Sequence, residues 1–335
     1  MHGDAMRAVA SLAIASLALA SCVALQMPGK RARGPLPAPS GELVALESRL
    51  RTHVEELAGR IGPRHRSRPG SLGEARDYIE WAWRRSGLTV HREPYASAHG
   101  GGVNLWTELG PSAGPLWVVS AHYDTVANSP GADDDASGVA ALLELGARLA
   151  PEFAAHPERH ERLRLVAFDD EETPAPAMGS TFHARALAAQ GAEVRGMLSL
   201  EMLGAYDTAP DTQRFPVALL GLWYSTRADY LAFVGDWDSR ELVRRCVGAF
   251  RACSPLPCEG MAAPRALRDI ARSDHSQFWK IGVPALMVTD TSEFRYAHYH
   301  KRSDTPEKLD YRRLALATDG VAGVVRVLCS RAPNR

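Results

Sequence analysis

Five short stretches of this 335-residue chain gather imidazoles and carboxylates in patterns that can hold a metal ion and move a proton. The first is Ser120-Ala121-His122-Tyr123-Asp124-Thr125. An imidazole binds a divalent metal through one ring nitrogen, and a carboxylate commonly fixes the ring through the other. Asp124 projects from the same side of an extended chain as His122 and suits that second task. The second stretch, Gly131-Ala132-Asp133-Asp134-Asp135-Ala136-Ser137-Gly138, sets three carboxylates side by side. They repel one another; a helix N-terminus relieves part of this, and a cation relieves more. In the third, Phe168-Asp169-Asp170-Glu171-Glu172, neighbouring carboxylates can divide the labour. One binds an ion while the other accepts a proton from an activated water. The fourth is Glu201, closing the apolar Leu198-Ser199-Leu200; a carboxylate there needs a partner if it is buried. The fifth runs from Ala297-His298-Tyr299-His300 to Asp304-Thr305. A further cluster, Ser273-Asp274-His275, reads equally as part of a substrate pocket or as a helix cap. Each stretch alone also reads as a strand-end histidine, an acidic helix cap or a charged turn. Together they offer nitrogen and oxygen donors without a thiolate, the composition of an open catalytic metal site rather than a closed structural one.

These residues must be positioned by regular elements. Residues 116–121, 163–168, 197–200 and 283–288 are apolar runs of strand length with polar or turn boundaries. Residues 42–61 carry Leu46, Leu50, Val54 and Leu57 at helical spacing, and 73–86 and 137–149 predict further helices. Strands alternating with helices imply an α/β fold: a three-layer α/β/α sandwich around a mixed, mostly parallel sheet. The candidate residues follow the C-terminal ends of the strands, the edge at which open α/β sheets bind ligands.

The chain is 45% hydrophobic, enough for a sizeable core, and balances 39 Lys and Arg against 39 Asp and Glu. That neutrality gives no electrostatic case for nucleic acid or an anionic membrane as a partner. At the N-terminus, Arg7 precedes an apolar stretch, 8–20, too short to span a bilayer but suited to a signal peptide. It ends in Leu19-Ala20-Ser21-Cys22, which resembles the lipobox of bacterial lipoproteins. The expectation is a signal peptide over 1–21, a lipid-anchored Cys22 with a Pro-rich flexible linker over 22–40, and one globular domain over 41–335. The protein is then exported to the cell envelope and held on a membrane. Export permits disulfides among Cys246, Cys253, Cys258 and Cys329, and Cys253–Cys258 is the favoured pair.

The ordered motifs AHYDT (121–125), GADDDASG (131–138), FDDEE (168–172), SLEMLG (199–204), SDHSQF (273–278) and HYHKRSDT (298–305) resemble those of a known group. They are similar to the co-catalytic zinc exopeptidases of peptidase clan MH, in the branch of bacterial leucyl aminopeptidases, glutamate carboxypeptidase II and glutaminyl cyclases. The likeness runs over residues 43–328. It implies two zinc ions held by His122, Asp134, Glu172, Glu201 and His300, with Asp134 bridging both. It implies Glu171 as general base and Asp124 as the residue orienting His122. The implied activity is hydrolysis of terminal residues from peptides with a free end, in the manner of an aminopeptidase. Many aminopeptidases of the group have Asp where this chain has Glu201.

Other readings share the scaffold. A carboxypeptidase needs a cationic clamp for the substrate carboxylate, and Arg227, Arg272 and Arg295 are available. A glutaminyl cyclase normally lacks one of the metal positions. A non-catalytic surface-binding lipoprotein would be expected to have lost ligands or the base. The aromatic residues Tyr206, Trp223, Tyr224, Tyr230, Phe233 and Trp237 read either as core or as the lining of a specificity pocket.

Overall fold

A computed structural model describes residues 26–97, 100–173 and 178–331. The expected signal peptide and Cys22 lie outside the described residues. Among the described residues one eight-stranded sheet organises the fold. Its strands are β1 (His91–Tyr95), β2 (Gly102–Leu109), β3 (Leu116–His122), β4 (Arg162–Phe168), β5 (Val194–Glu201), β6 (Leu231–Asp236), β7 (Cys258–Ala263) and β8 (Ala285–Thr289). They lie in the order β1-β2-β4-β3-β5-β8-β6-β7. The four apolar runs picked out from the sequence form the parallel centre, β4-β3-β5-β8. An antiparallel pair, β1 and β2, extends one side. On the other side β6 runs antiparallel to β8 and parallel to β7.

The helices are α1 (Gly41–Val54), α2 (Ser71–Arg85), α3 (Gly138–Ala155), α4 (Gly179–Ala189), α5 (Arg240–Cys253), α6 (His275–Trp279) and α7 (Tyr311–Cys329). α1 is capped by Ser40, whose hydroxyl accepts the Leu43 N–H at 3.2 Å. It continues in wider turns to Ile61, where Gly62 at φ 75° stops it. Leu46, Leu50, Val54 and Leu57 are all fully buried, as their spacing predicts. Each contributes roughly 2 kcal/mol through burial.

Side chains alternate across β3, so Trp117, Val119 and Ala121 enter the larger core, with residues of α1, α3, α5 and α7. Leu116 and Val118 enter a second core with Ala184 and Leu187 of α4 and Phe278 and Trp279 of α6. Helices thus cover both faces, as a three-layer α/β/α arrangement requires.

Two sequence expectations meet a different arrangement. Cys253 and Cys258 are not bridged; the four described cysteines are free thiols. Cys253 ends α5 with its Sγ 3.6 Å from the Gly320 carbonyl of α7, while Cys258 is buried at the start of β7. The two side chains therefore serve different contacts. Residues 27–31, within the stretch read from composition as a flexible tether, lie against the domain. Arg31 pairs with Asp229 at 2.8 Å and Glu259 at 2.9 Å. Arg251 reaches the carbonyls of Met27, Pro28 and Gly29 at 3.3, 3.2 and 3.2 Å.

Candidate metal centre

The C-terminal ends of the central strands bring the candidate residues to one edge. His122 ends β3 in register with Phe168 of β4, and Glu201 ends β5 in register with Thr289 of β8. Asp134 lies between two histidines. Its Oδ1 is 3.2 Å from His122 Nε2 and its Oδ2 is 3.1 Å from His300 Nε2. Glu201 Oε1 is 3.6 Å from His122 Nε2, and Glu172 Oε1 is 3.0 Å from His300 Nε2. Two groups result, His122/Asp134/Glu201 and Asp134/Glu172/His300, each with donor atoms within 4.8 Å of one another. They share only Asp134.

The backbone explains why the middle carboxylate of three is the one presented. Asp135 is turned inward, where it accepts N–H groups from His122, Gly138 and Met202 at 3.2, 3.1 and 3.0 Å. It ties the end of β3, the start of α3 and the residue after β5 together. Asp133 accepts the Gly204 N–H at 2.8 Å and the Ser137 hydroxyl at 3.0 Å. Asp304 in turn accepts the N–H groups of Asp133 and Asp134 at 2.9 and 3.2 Å. The Asp134–Asp135 peptide is cis. Arg64, fully buried, holds the outer side of this turn through the carbonyls of Tyr123, Pro130 and Gly131 at 2.7, 2.6 and 2.9 Å.

Asp124 joins two parts of the site. Its Oδ1 is 3.4 Å from His122 Nδ1. Its two oxygens also accept the N–H groups of Glu171 and Glu172, each at 3.1 Å. Ser273 donates its hydroxyl to Glu201 Oε2 at 2.6 Å. Three non-glycine residues near the site, Asp170, Met202 and His300, take φ values of 62°, 56° and 57°. Such conformations cost on the order of 1 kcal/mol each and persist because the surroundings dictate them.

Crowded acids make the edge strongly electronegative. Burial pushes the Glu171 carboxyl well above its ordinary range; His122 offsets part of this, while Glu201 and Glu172 add to it. Burial and the Asp134 charge push Glu172 up to about 7. Burial opposes the His300 imidazolium, but Asp134 and Glu172 outweigh it and raise the group to about 10. His122 is likewise raised against its burial by Glu201 and Glu171. Asp134 is held well below the carboxylate range because both imidazoles outweigh its burial. Both ring nitrogens of His122 and the Glu172 Oε1 are buried without a well-directed hydrogen bond. Orphaned donor atoms of these types fit a pair of divalent cations.

A cavity of about 400 Å³ opens from Asp134, Glu171, Glu172 and Glu201. Its further walls are largely apolar, with Tyr230 and Ala232, Met261, Ile270 and Met287 among them. Of the aromatic residues singled out from the sequence, Tyr224 and Tyr230 line it. Phe233 points into the opposite core, and Trp223 and Trp237 are exposed. Tyr206 lies beside Arg295 and Arg313. Ser273 reaches the cavity wall; Asp274 and His275 are fully buried, and His275 Nε2 lies 2.7 Å from the Ile270 carbonyl. His298 stays outside both groups, with its Nδ1 2.8 Å from the Ser303 hydroxyl. Tyr299, which the sequence marks only as the residue between two histidines, stacks its ring on His300 at 3.8 Å between centroids. Arg64 is marked by no local pattern.

Residues 104–325 match the model of Peptidase family M28. The chain is 33% identical to the uncharacterized protein YfbL of Escherichia coli (strain K12) over 294 residues, 84% of this chain and 88% of that one. BSAP, a zinc aminopeptidase from Bacillus subtilis, shares the fold with a TM-score of 0.65 at 14% identity, covering 85% of this chain and 95% of that one. A glutaminyl cyclase of Porphyromonas gingivalis does so with a TM-score of 0.61 at 19% identity, covering 83% and 97%. At those identities the solved structures speak for the fold alone. The family match covers every residue of both donor groups, and on it the chain belongs to peptidase family M28.

Proposed function

We propose that this chain is a two-zinc aminopeptidase that removes single residues with apolar side chains from the free N-termini of peptides. The observation that carries the reading is the Asp134 carboxylate, which puts one oxygen toward each histidine and so belongs to both donor groups. His122, Asp134 and Glu201 would hold one ion, and Asp134, Glu172 and His300 the other. Zinc held by these residues would supply Lewis acidity toward the scissile carbonyl and toward a water molecule. Glu171, half-buried beside these ligands, accepts the proton of the attacking water and returns it to the departing amine. Asp124 orients the His122 ring through Nδ1 and fixes the two glutamates through their backbone.

The cavity favours an amine over a carboxylate. Its reactive end is walled by Asp134, Glu171, Glu172 and Glu201. The three arginines named as a carboxylate clamp are otherwise engaged, and Arg214, which also lines the cavity, donates to the Glu293 carbonyl at 3.0 Å. Arg227 donates to the Thr208 carbonyl, Arg295 to the Tyr230 carbonyl at 2.8 Å and to Gln213 at 2.9 Å, and Arg272 pairs with Glu293. The apolar walls suit an apolar first side chain. We further read residues 1–21 as a signal peptide and Cys22 as a lipid anchor, which places the domain in the cell envelope. A panel of aminoacyl and N-blocked peptide substrates, with and without chelator, tests the function. Cleavage of free-amine substrates only, abolished by chelation, is expected; turnover indifferent to chelator, or equal turnover of blocked peptides, overturns it.

A further inference from the structure

We propose that the turn at residues 217–223 is a membrane-contact surface. Its outer side chains enter the head-group region of the bilayer to which the chain is tethered. The inference rests on reading Cys22 as the lipid anchor.

Among the described residues, eight large apolar side chains are exposed, and four of them fall within this turn. They are Val217 (48%), Leu219 (58%), Leu222 (74%) and Trp223 (47%). The other four, Val44, Trp81, Trp237 and Val327, are far apart in the chain, as ordinary surface apolar residues are. A cluster of this kind marks a contact surface. The turn is built to present it. Trp223 and Tyr224 both donate their N–H to the Leu220 carbonyl at 3.0 Å. Leu220 and Tyr224 face inward and line the cavity, and the Tyr224 hydroxyl donates to the Gly260 carbonyl at 3.0 Å. The inner side is therefore occupied, and the outer side is left apolar.

The path of the N-terminal segment identifies what covers it. Met27 packs against Gly260, so close that a Cβ there would lie 2.9 Å from its sulfur. Arg31 is fixed to Asp229 and to Glu259, the neighbour of Gly260. Met27 follows Cys22 by five residues. At the extended-chain rise that is a leash of about 17 Å. A lipid on Cys22 is thus held close to the residue that also fastens the turn. Lys30 and Arg33 are exposed on the same segment. Tryptophan and leucine on such a surface settle at the interface, roughly 5–10 Å into the head-group and acyl boundary. Because Leu220 and Tyr224 also wall the cavity, the contact holds the substrate site at the membrane surface.

The test uses the full chain, carried through its own anchor into vesicles of phosphatidylcholine and phosphatidylglycerol with or without acyl chains brominated near the head group. Tryptophan fluorescence is the readout. Wild type is expected to be quenched by the brominated lipid. Trp223→Phe should lose most of that quenching, while Trp81→Phe and Trp237→Phe keep it. Leu219→Glu combined with Leu222→Glu should abolish it without shifting the melting temperature, since both side chains are exposed. Equal quenching in wild type and Trp223→Phe overturns the proposal, as does absence of quenching in acylated protein. Self-association removed by Leu222→Glu also overturns it, by assigning the surface to a second copy. The mass of the mature N-terminus reports the anchor separately: an unmodified Cys22 removes the tether and the proposal with it. Cleavage of free-amine peptides by the same preparation reports the enzymatic reading independently of both.

Discussion

Replacing Asp124 by Asn tests whether one carboxylate organises both halves of the reaction. Asp124 is 4% exposed and accepts two backbone N–H groups at 3.1 Å while facing His122 Nδ1 at 3.4 Å. Asparagine keeps the shape but offers one acceptor oxygen instead of two. Its amide nitrogen must face a donor, either the Glu171 N–H or the Glu172 N–H. A buried donor left without a partner costs about 1–3 kcal/mol. The unfolding free energy of Asp124→Asn is therefore expected to fall by about 2 kcal/mol, read from urea denaturation of the metal-free protein. The His122 ring also loses the carboxylate that fixes its orientation. Losing such a partner typically costs 10- to 100-fold in metal affinity or activity. Zinc affinity, measured by competition with a chromogenic chelator, should drop by about that factor, and kcat should fall more than KM rises. A variant that unfolds at the wild-type urea concentration and binds zinc as tightly would refute the assignment.

Other consequences follow from the same geometry. Glu171→Gln should bind zinc stoichiometrically, as judged by metal analysis after dialysis, yet lose turnover by roughly 10²- to 10⁴-fold, the usual contribution of a general base. Normal turnover of that variant would show that the proton goes elsewhere. Arg64→Met keeps much of the stem but leaves the Tyr123, Pro130 and Gly131 carbonyls without their donor. It should lose about 3–5 kcal/mol of stability, since each buried carbonyl left without a donor costs about 1–3 kcal/mol, and a melting temperature within a degree or two of wild type would contradict this. Burial lowers the His275 pKa to about 4, below the ordinary 6.5. The folded protein thus keeps this ring neutral where the unfolded chain already takes a proton. Its contribution, of order 3 kcal/mol, is complete above pH 6.5 and is lost as pH falls from there toward 4. Urea midpoints across that window should show the decline in wild type and a shallower one in His275→Asn.

How legible the fold was depended on how local its causes are. β3, β4, β5 and β8 are covered on both faces, so each must be an apolar run, and such runs stand out in a sequence. Of the flanking strands only β6 carries such a run, Leu231-Ala232-Phe233-Val234, buried throughout; β1, β2 and β7 do not. β1, HREPY, is largely exposed and contains Pro94. In β2, Asn104 and Thr107 are fully buried polar residues. β7, CEGMAA, contains Gly260 and is only partly buried, and it is a strand because β6 lies beside it. The same division holds in the site. Clustered acids at strand ends pointed to a metal edge, whereas Arg64 reads as an ordinary basic residue until the carbonyls around it are seen. The choice of Asp134 among three consecutive aspartates came from family resemblance, because residue type alone cannot rank identical neighbours.

The structure supplies the missing ranking in the form of backbone donors. A buried carboxylate is tolerable only when its oxygens are satisfied by hydrogen bonds or by positive charge. Asp135 takes three backbone N–H groups, Asp304 two and Asp124 two. These carboxylates spend their lone pairs holding β3, β5 and the loops in register. The oxygens of Asp134, Glu172 and Glu201 instead face His122 and His300, with Ser273 serving one oxygen of Glu201. The edge is thereby sorted into acids that build the frame and acids left with charge to offer. Only the second kind can bind a cation without loosening the fold, and they are the ones that meet at a single shared carboxylate.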